Sequence, residues 1–420
     1  MEVKPGYKQT EVGVIPEEWE VTLFDELFTF RNGVNADKSS YGQGVRFVNV
    51  LEPITYSHIY GPEITGQVML PEPVATSYAV RRGDVLFNRT SETQEEVGLA
   101  STYLGTERVV FGGFVIRGRP TDQSLDPIYS GYALRAPIIR SQIIPMGQGA
   151  IRANIGQQNL SLVVAPIPPL PEQRAIAEAL SDVDALIESL EQLIAKRRNL
   201  KQGAMQELLT GKRRLPRFSG SGEWEVVPLG QCLRRAPTYG VNAPAVSLDS
   251  RFPTYLRITD ITEDGRFAEA TKVSVNHPAT ESYMLEPGDI VFARTGASVG
   301  KSYLYNQKDG SLVFAGFLIR ISPNPECLDP SFLSFYAQSS TYWNWVKVNS
   351  MRSGQPGING REYANLPIPL PPTKDEQTAI AAILSDMDAE IAALEARRDK
   401  TLALKEGMMQ ELLTGRIRLV

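Results

Sequence analysis

Apolar residues recur at a strict four-then-three spacing in two places along this chain. Ile176, Leu180, Val183, Ile187, Leu190 and Ile194 form the first run, and Ile380, Leu384, Met387, Ile391 and Leu394 form the second. That period places every apolar side chain on one stripe of a helix. No proline interrupts either run as far as Thr210 and Thr414, and each closes on a glycine followed by basic residues, the usual signal for a helix end. A helix from Glu172 to Leu209 would extend about 57 Å at 1.5 Å per residue. The rest of the chain reads as short strand-like runs broken by Gly, Pro, Asn and Asp, which predicts mixed α/β or α+β modules. Asp126-Pro127 and Asp329-Pro330 offer a capping carboxylate followed by a first-turn proline. They predict short helices carrying Tyr129, Tyr132 and Leu134, or Phe332, Phe335 and Tyr336. Proline-rich hinges, Pro166 to Pro171 and Pro367 to Pro372, separate modules from helices, because such segments continue neither a helix nor a central strand.

The chain also repeats itself. Gly203-Ala204-Met205-Gln206-Glu207-Leu208-Leu209-Thr210-Gly211 returns as Gly407-Met408-Met409-Gln410-Glu411-Leu412-Leu413-Thr414-Gly415, at an offset of 204. The same offset relates Leu180 to Asp184 with Leu384 to Asp388, and Glu172-Gln173 with Glu376-Gln377. Upstream, Gly83 to Thr90 matches Gly288 to Thr295 at 205, and Phe111 to Arg117 matches Phe314 to Arg320 at 203. Two halves of like fold account for this. The predicted order is a globular module over 1–167, a helical spacer over 168–215, a second module over 216–368 and a second spacer over 369–420.

Composition narrows the function. The 420 residues are 42% hydrophobic and 22% charged, an ordinary globular balance for several domains. No run approaches the ~18–20 apolar residues of a membrane span, and Met1-Glu2-Val3-Lys4-Pro5-Gly6 lacks the apolar core of a signal peptide, so a cytoplasmic protein is expected. The net charge of −5 argues against a protein that coats nucleic acid by charge alone, and leaves room for a local basic face. Two cysteines, Cys232 and Cys327, make no disulfide framework. Two histidines, His58 and His277, lie too far apart in sequence to suggest zinc, so neither structural metal nor redox chemistry is expected.

Catalytic patterns fail one by one. Gly296-Ala297-Ser298-Val299-Gly300-Lys301-Ser302 has three residues between its glycines where a phosphate loop needs four, and Ser302-Tyr303-Leu304-Tyr305 reads as strand rather than helix. Asp126-Pro127-Ile128-Tyr129 lacks the second proline of an adenine-gripping methyltransferase loop, and no glycine-rich cofactor turn accompanies it. The one acid-x-lysine pair suited to a magnesium nuclease, Glu2-Val3-Lys4, sits at the terminus. Nucleophile-elbow and zinc-protease motifs are absent, so the chain is read as non-catalytic.

Taken together, the two alternating modules and helices, the hinge Pro168-Pro169-Leu170-Pro171-Glu172-Gln173, and the repeated Met205 to Gly211 segment resemble the specificity subunit of type I restriction-modification systems, HsdS. The strand-loop Gly83-Asp84-Val85-Leu86-Phe87 and its twin at Gly288 are similar to the family's target-recognition domains, although Asn88-Arg89-Thr90-Ser91-Glu92-Thr93 departs from the family loop by a longer insert. The resemblance implies two target-recognition domains, each reading half of a split, asymmetric DNA site, with the two helices packed as an antiparallel coiled coil that sets the spacer. It further implies two methyltransferase subunits docked on the helices, and restriction-translocase subunits joining them. S-adenosylmethionine, ATP and magnesium belong to those partners and none to this chain. The rival readings are a protein-interaction scaffold that binds no DNA and a free-standing methyltransferase.

Base readout needs forked or amide side chains on exposed loops, with Arg against guanine and Asn or Gln against adenine. In the first module the candidates are Arg31, Asn32, Asn35, Asn88, Arg89, Thr90, Gln148, Arg152 and Asn154. In the second they are Arg294, Thr295, Ser298, Lys301, Arg352, Ser353, Gln355 and Asn359. Trp343 and Trp345 are read as core. The basic run Lys196-Arg197-Arg198 with Lys201 is read as a solvated helix face, or else as a contact with a partner's carboxylates or the spacer phosphates.

Overall fold

The structure, a computed structural model, describes residues 4–149, 152–268 and 272–419. Glu2 and Val3 of the nuclease-like pattern lie outside the described residues. The chain forms two compact units, and one of them is discontinuous in sequence. Met1–Leu190 joins Arg397–Val420 in the first, and Glu191–Ala396 makes the second.

The first unit is built on strands β1 (Phe28–Asn32), β2 (His58–Ile59), β3 (Val85–Asn88), β4 (Ala100–Tyr103) and β5 (Val115–Pro120), in the order β1-β5-β3-β4-β2. Every pairing is antiparallel except β4 with β2. Central β3 buries all of Val85, Leu86, Phe87 and Asn88, which suits its branched and aromatic residues. Helix α1 (Pro127–Ala133) begins as the sequence predicts, with the Asp126 carboxylate accepting from the N–H groups of Ile128 and Tyr129. A long helix, α2 (Leu170–Leu208), follows.

The second unit repeats the plan with β6 (Leu233–Tyr239), β7 (Ile290–Ala293), β8 (Ser302–Leu304) and β9 (Leu318–Pro323), ordered β6-β9-β7-β8 and wholly antiparallel. Asp329 caps α3 (Pro330–Tyr336) in the same way, and α4 (Lys374–Leu412) is the second long helix. Both long helices have 39 residues.

Each core recruits opposite ends of the two long helices. In the first unit Ile176, Ala177 and Leu180 of α2, with Leu412 at the end of α4 and Leu413 just after it, join Trp19, Phe24, Phe28, Phe87 and Tyr129. In the second, Leu208 at the end of α2 and Leu209 just after it, with Ile380, Ala381 and Leu384 of α4, join Phe292, Phe332, Tyr342 and Tyr363. Within each unit the helices therefore run antiparallel. Ion pairs mark the same register, Lys405 with Asp184 in the first and Lys201 with Asp388 in the second, each at 2.6 Å. The early residues of each stripe thus serve a module core. Farther along, Ile187, Leu190, Ile194 and Ile391 are buried, while Val183, Met387 and Leu394 are half-buried.

Three local readings change. The hinge prolines lie in or beside two-stranded ladders, Val164–Ile167 with Glu20–Leu23 and Pro367–Leu370 with Glu225–Pro228, where an edge position spares them a ladder donor. The basic run of α2 is not simply solvated, since Arg197 pairs with Glu390 at 2.9 Å, Arg198 with Glu395 at 2.5 Å and Lys201 with Asp388, all on α4. Trp343 is 37% exposed, because its helix turns Tyr342 and Val346 inward instead; Trp345 is partly buried against the core.

Candidate nucleic-acid interface

The repeated Gly-Asp turn organises the loop that follows the central strand. Asp84 is buried and accepts from the Arg81 N–H at 2.8 Å and from Arg119 Nε and Nη2 at 2.8 and 2.7 Å. Asp289 accepts from the Glu286 N–H at 3.0 Å, from Ser322 at 2.6 Å and from Arg235. The motif's acid is therefore structural. Arg117 and Arg320 are structural too: each is buried, stands over Phe111 or Phe314, and has its guanidinium pulled below the usual arginine range first by that burial.

At the end of the central strand three segments meet, in the same way in both units. The Arg89 N–H donates to the Phe114 carbonyl at 2.8 Å, and the Arg89 carbonyl accepts from Ile155 at 3.0 Å. The Arg294 N–H donates to the Phe317 carbonyl at 3.0 Å, and the Arg294 carbonyl accepts from Ile358 at 2.9 Å. Backbone hydrogen bonds thus fix the loop after the central strand against a glycine-containing turn and against the segment that leads to the hinge.

In the first unit this gathers Arg89, Thr90, Gln148, Arg152 and Asn154. Thr90 Oγ1 donates to Asn154 Oδ1 at 2.6 Å, and Gln148 and Asn154 exchange backbone bonds of 2.9 and 2.8 Å. Arg152 lies 3.6 Å from Glu92. Asn32 and Asn35 are exposed, and Asn35 lies against Gly113 in the turn, where an added Cβ would fall 2.0 Å from its Oδ1. Arg31 is otherwise engaged: it donates to the Ser77 carbonyl and hydroxyl at 2.7 and 2.8 Å and lies 4.3 Å over Tyr78. Asn88 is buried completely, its amide held by the Glu96 carbonyl at 3.0 Å, so it faces no ligand. Its counterpart in the repeat is Ala293, also buried, which already marked the position as interior.

In the second unit Arg294 stands 4.9 Å from the Tyr239 ring, and Thr295 bridges Gly357. Gln355 approaches Gly296, and Ser353 and Gln355 are exposed. Asn359 accepts from the Glu362 N–H as a helix cap. Arg352 is tied to Glu362 at 2.5 Å and to the Asn349 carbonyl at 3.0 Å. Lys301 is paired with Glu263 at 2.6 Å, and Ser298 ends a short half-buried turn. Arg294, Thr295, Gln355 and Asn359 thus share one loop edge.

The sequence reading missed the aromatic members of this edge. Phe114 and Phe317 are 51% and 57% exposed at the tips of equivalent turns, and Tyr239 is 42% exposed where the first unit has Asn32. The signal was present in the repeat, which keeps a phenylalanine at a glycine turn. Beside Phe114 a cleft of about 470 Å³ is lined by Leu51, Thr90, Glu92 and Arg152. Among the described residues no cluster could hold a metal ion, and no helix is long and apolar enough to cross a membrane. The arrangement offers donors, acceptors and flat apolar faces along one edge of each unit, as base readout requires.

Comparison with known proteins agrees. The family model described as type I restriction modification DNA specificity domain matches residues 16–196 and 246–403. A putative type I restriction enzyme MjaX specificity subunit of Methanocaldococcus jannaschii is 28% identical over 98% of this chain and 97% of its own length. The type I restriction enzyme EcoKI specificity subunit of Escherichia coli is 25% identical over 97% and 90%. Among solved structures, the S subunit of a type I restriction-modification system from M. genitalium superposes with a TM-score of 0.56 at 15% identity, covering 98% of each chain.

Proposed function

The chain belongs to the type I restriction-modification DNA specificity family, and from that premise we propose that each unit reads one half of a bipartite, asymmetric DNA site through the loop edge after its central strand. The chain is a non-catalytic specificity subunit that recognises DNA with two domains and works in assembly with other subunits. The observation that carries the finer reading is the recurrence of one loop junction, Arg89 with Phe114 and Ile155 and Arg294 with Phe317 and Ile358, in two units whose loop residues otherwise differ. A common frame with different side chains is what two different half-sites demand.

On this reading the contacts of the first half-site come from Asn32, Asn35, Arg89, Thr90, Gln148, Arg152 and Asn154. Those of the second come from Arg294, Thr295, Ser353, Gln355 and Asn359. Neither module is basic, and phosphate neutralisation supplies most non-specific affinity, so two methyltransferase subunits docked on α2 and α4 complete the clamp. Restriction-translocase subunits join that complex. The partners carry S-adenosylmethionine, ATP and magnesium, the assembly acts in the cytoplasm, and the two long helices set the spacer. Methylation-site sequencing of a host carrying the intact system tests this: a split, asymmetric motif is expected, and a chain that leaves methylation untouched would instead be a scaffold.

A further inference from the structure

The count of the cysteines argues against redox chemistry, but the fold removes that argument. Cys232 and Cys327, 95 residues apart in sequence, face each other with their sulfurs 2.6 Å apart. Both are free thiols. Cys232 is buried at the end of the short turn Leu229–Cys232, immediately before β6. Cys327 is half-buried in the loop that leads to Asp329 and α3. The backbone around the pair is fixed on both sides: the Cys232 carbonyl accepts from Asn324 at 2.8 Å, and the Cys327 carbonyl accepts from Gln377 Nε2 at 3.0 Å. Little main-chain movement is needed for a bond to form. A cleft of about 510 Å³ is lined by both cysteines.

We propose that Cys232 and Cys327 are a covalent modification site of the second unit, closing to an intramolecular disulfide by exchange with a low-molecular-weight disulfide. The half-exposed Cys327 attacks first. Its thiolate bonds one sulfur of the small disulfide, whose other half leaves as a thiolate. Cys232 then loses its proton to solvent and attacks the Cys327 sulfur, expelling the second half. Two protein thiols are oxidised and one small disulfide is reduced to two thiols. Burial holds the Cys232 thiol above the usual cysteine range, so closure accelerates as pH rises. Glu223, Glu225 and Glu326 line the cleft with Lys374 as its cation, and Lys374 is already bound to the Pro325 carbonyl. A cationic disulfide therefore enters faster than an anionic one. The bond would tie the start of β6 to the loop that holds Gln377 at the head of α4, on the module side of the hinge.

Cystamine and glutathione disulfide, added separately to the full chain, are the probes, read by intact mass and by non-reduced peptide mapping. The expected product is one chain lighter by two hydrogens, with the Cys232 and Cys327 peptides joined, formed faster with cystamine. Cys232→Ser should stop at a single cysteamine adduct on Cys327, and Cys327→Ser should stay unmodified while folded. Two adducts on the native chain, or two thiols still free after prolonged exposure to cystamine, would overturn the proposal. Because the chain has only these two cysteines, the readout has no background.

Discussion

Arg418 forks onto Glu172 across 246 residues of sequence, its Nε 2.5 Å from one carboxylate oxygen and its Nη2 2.9 Å from the other. Arg214 makes the same fork to Glu376 in the second unit, with Nε at 2.8 Å and Nη2 at 2.5 Å. Both carboxylates are buried. Trp19 Nε1 completes the first site, donating to Glu172 at 2.9 Å. Each repeat's terminal arginine therefore clasps the first turn of the other repeat's helix, beside a glycine in left-handed conformation, Gly415 at φ 70° or Gly211 at φ 69°. The neighbouring Gln173 and Gln377 carry the clasp into the modules, accepting from the N–H groups of Asp126 and Asp329 at 2.8 and 2.9 Å.

Arg418→Ala leaves the Glu172 carboxylate buried with only Trp19 as donor, and stranding a buried charge costs about 3–5 kcal/mol. The first unit should melt earlier while the second keeps its own clasp. Denaturant unfolding with fluorescence of separate tryptophans checks this, since Trp19 and Trp224 lie in different units. Equal loss in both units would mean the clasp is not local.

His58 should make the first unit acid-sensitive. Its Nε2 donates to the Ile128 carbonyl at 2.8 Å and its ring lies edge-on to Tyr132 at 4.6 Å. Burial lowers its pKa below the usual histidine value, outweighing the hydrogen bond to Ile128 and the nearby Asp184. A group held neutral in the fold contributes stability above its unfolded pKa of ~6.5, and that contribution shrinks as pH falls through this value, because the unfolded chain takes up the proton. Melting temperature should drop between neutral pH and pH ~5, and His58→Gln, which can still donate to Ile128, should flatten that part of the slope.

Much of this architecture is legible in the sequence because periodicity and repetition carry it. The 4-3 stripes give the long helices, Asp-Pro gives the caps of α1 and α3, and the constant offset of 204 between Glu172 and Glu376 and between Lys201 and Lys405 gives two like units. What the pattern cannot carry is pairing between residues far apart. The Arg197–Glu390 pair, the clasp of Arg418 on Glu172 and the meeting of Cys232 with Cys327 all depend on which helix end meets which module. The candidate edge was half legible for a related reason. Residue type marks Arg89 and Arg31 equally, and only the fold shows that Arg31 is tied to Ser77 whereas Arg89 stands at the loop junction.

Asn88 and Arg294 should separate structural from reading residues. Asn88→Ala copies Ala293 of the other unit, so methylation at both half-sites should persist, with a modest loss of first-unit stability as the bond to Glu96 disappears. Arg294→Ala should weaken or relax the second half-site alone, by about 1–3 kcal/mol if a bidentate base contact is lost. Phe317→Ala should act on that same half-site and Phe114→Ala on the other. Methylation mapping of the assembled system decides each case, and unchanged recognition in Arg294→Ala would remove that residue from the reading edge.

The duplication makes a stronger prediction about half of the chain. In the first unit the module leans on residues from the far end of the sequence, with Leu412 and Leu413 in its core, Lys405 on Asp184 and Arg418 on Glu172. A fragment of residues 1–215 lacks all of these, yet it contains their counterparts at an offset of 204, namely Leu208, Leu209, Lys201 and Arg214. Two copies can each offer that tail to the other's module, and closed exchange of this kind gives a two-fold axis. The sharpest mismatch lies in the middle of the helices, where Leu193 and Ile194 stand in place of Arg397 and Arg398; pairing like with like gathers apolar side chains there and should be tolerated. A two-fold reader presents the same Arg89 edge to both half-sites, so its target must be an interrupted palindrome. Coexpression of the fragment with the methyltransferase subunit, native mass measurement and methylation mapping should return a dimer that marks a palindromic site. A strictly monomeric fragment, or a dimer that methylates an asymmetric site, would show that the tails of the two repeats are not interchangeable.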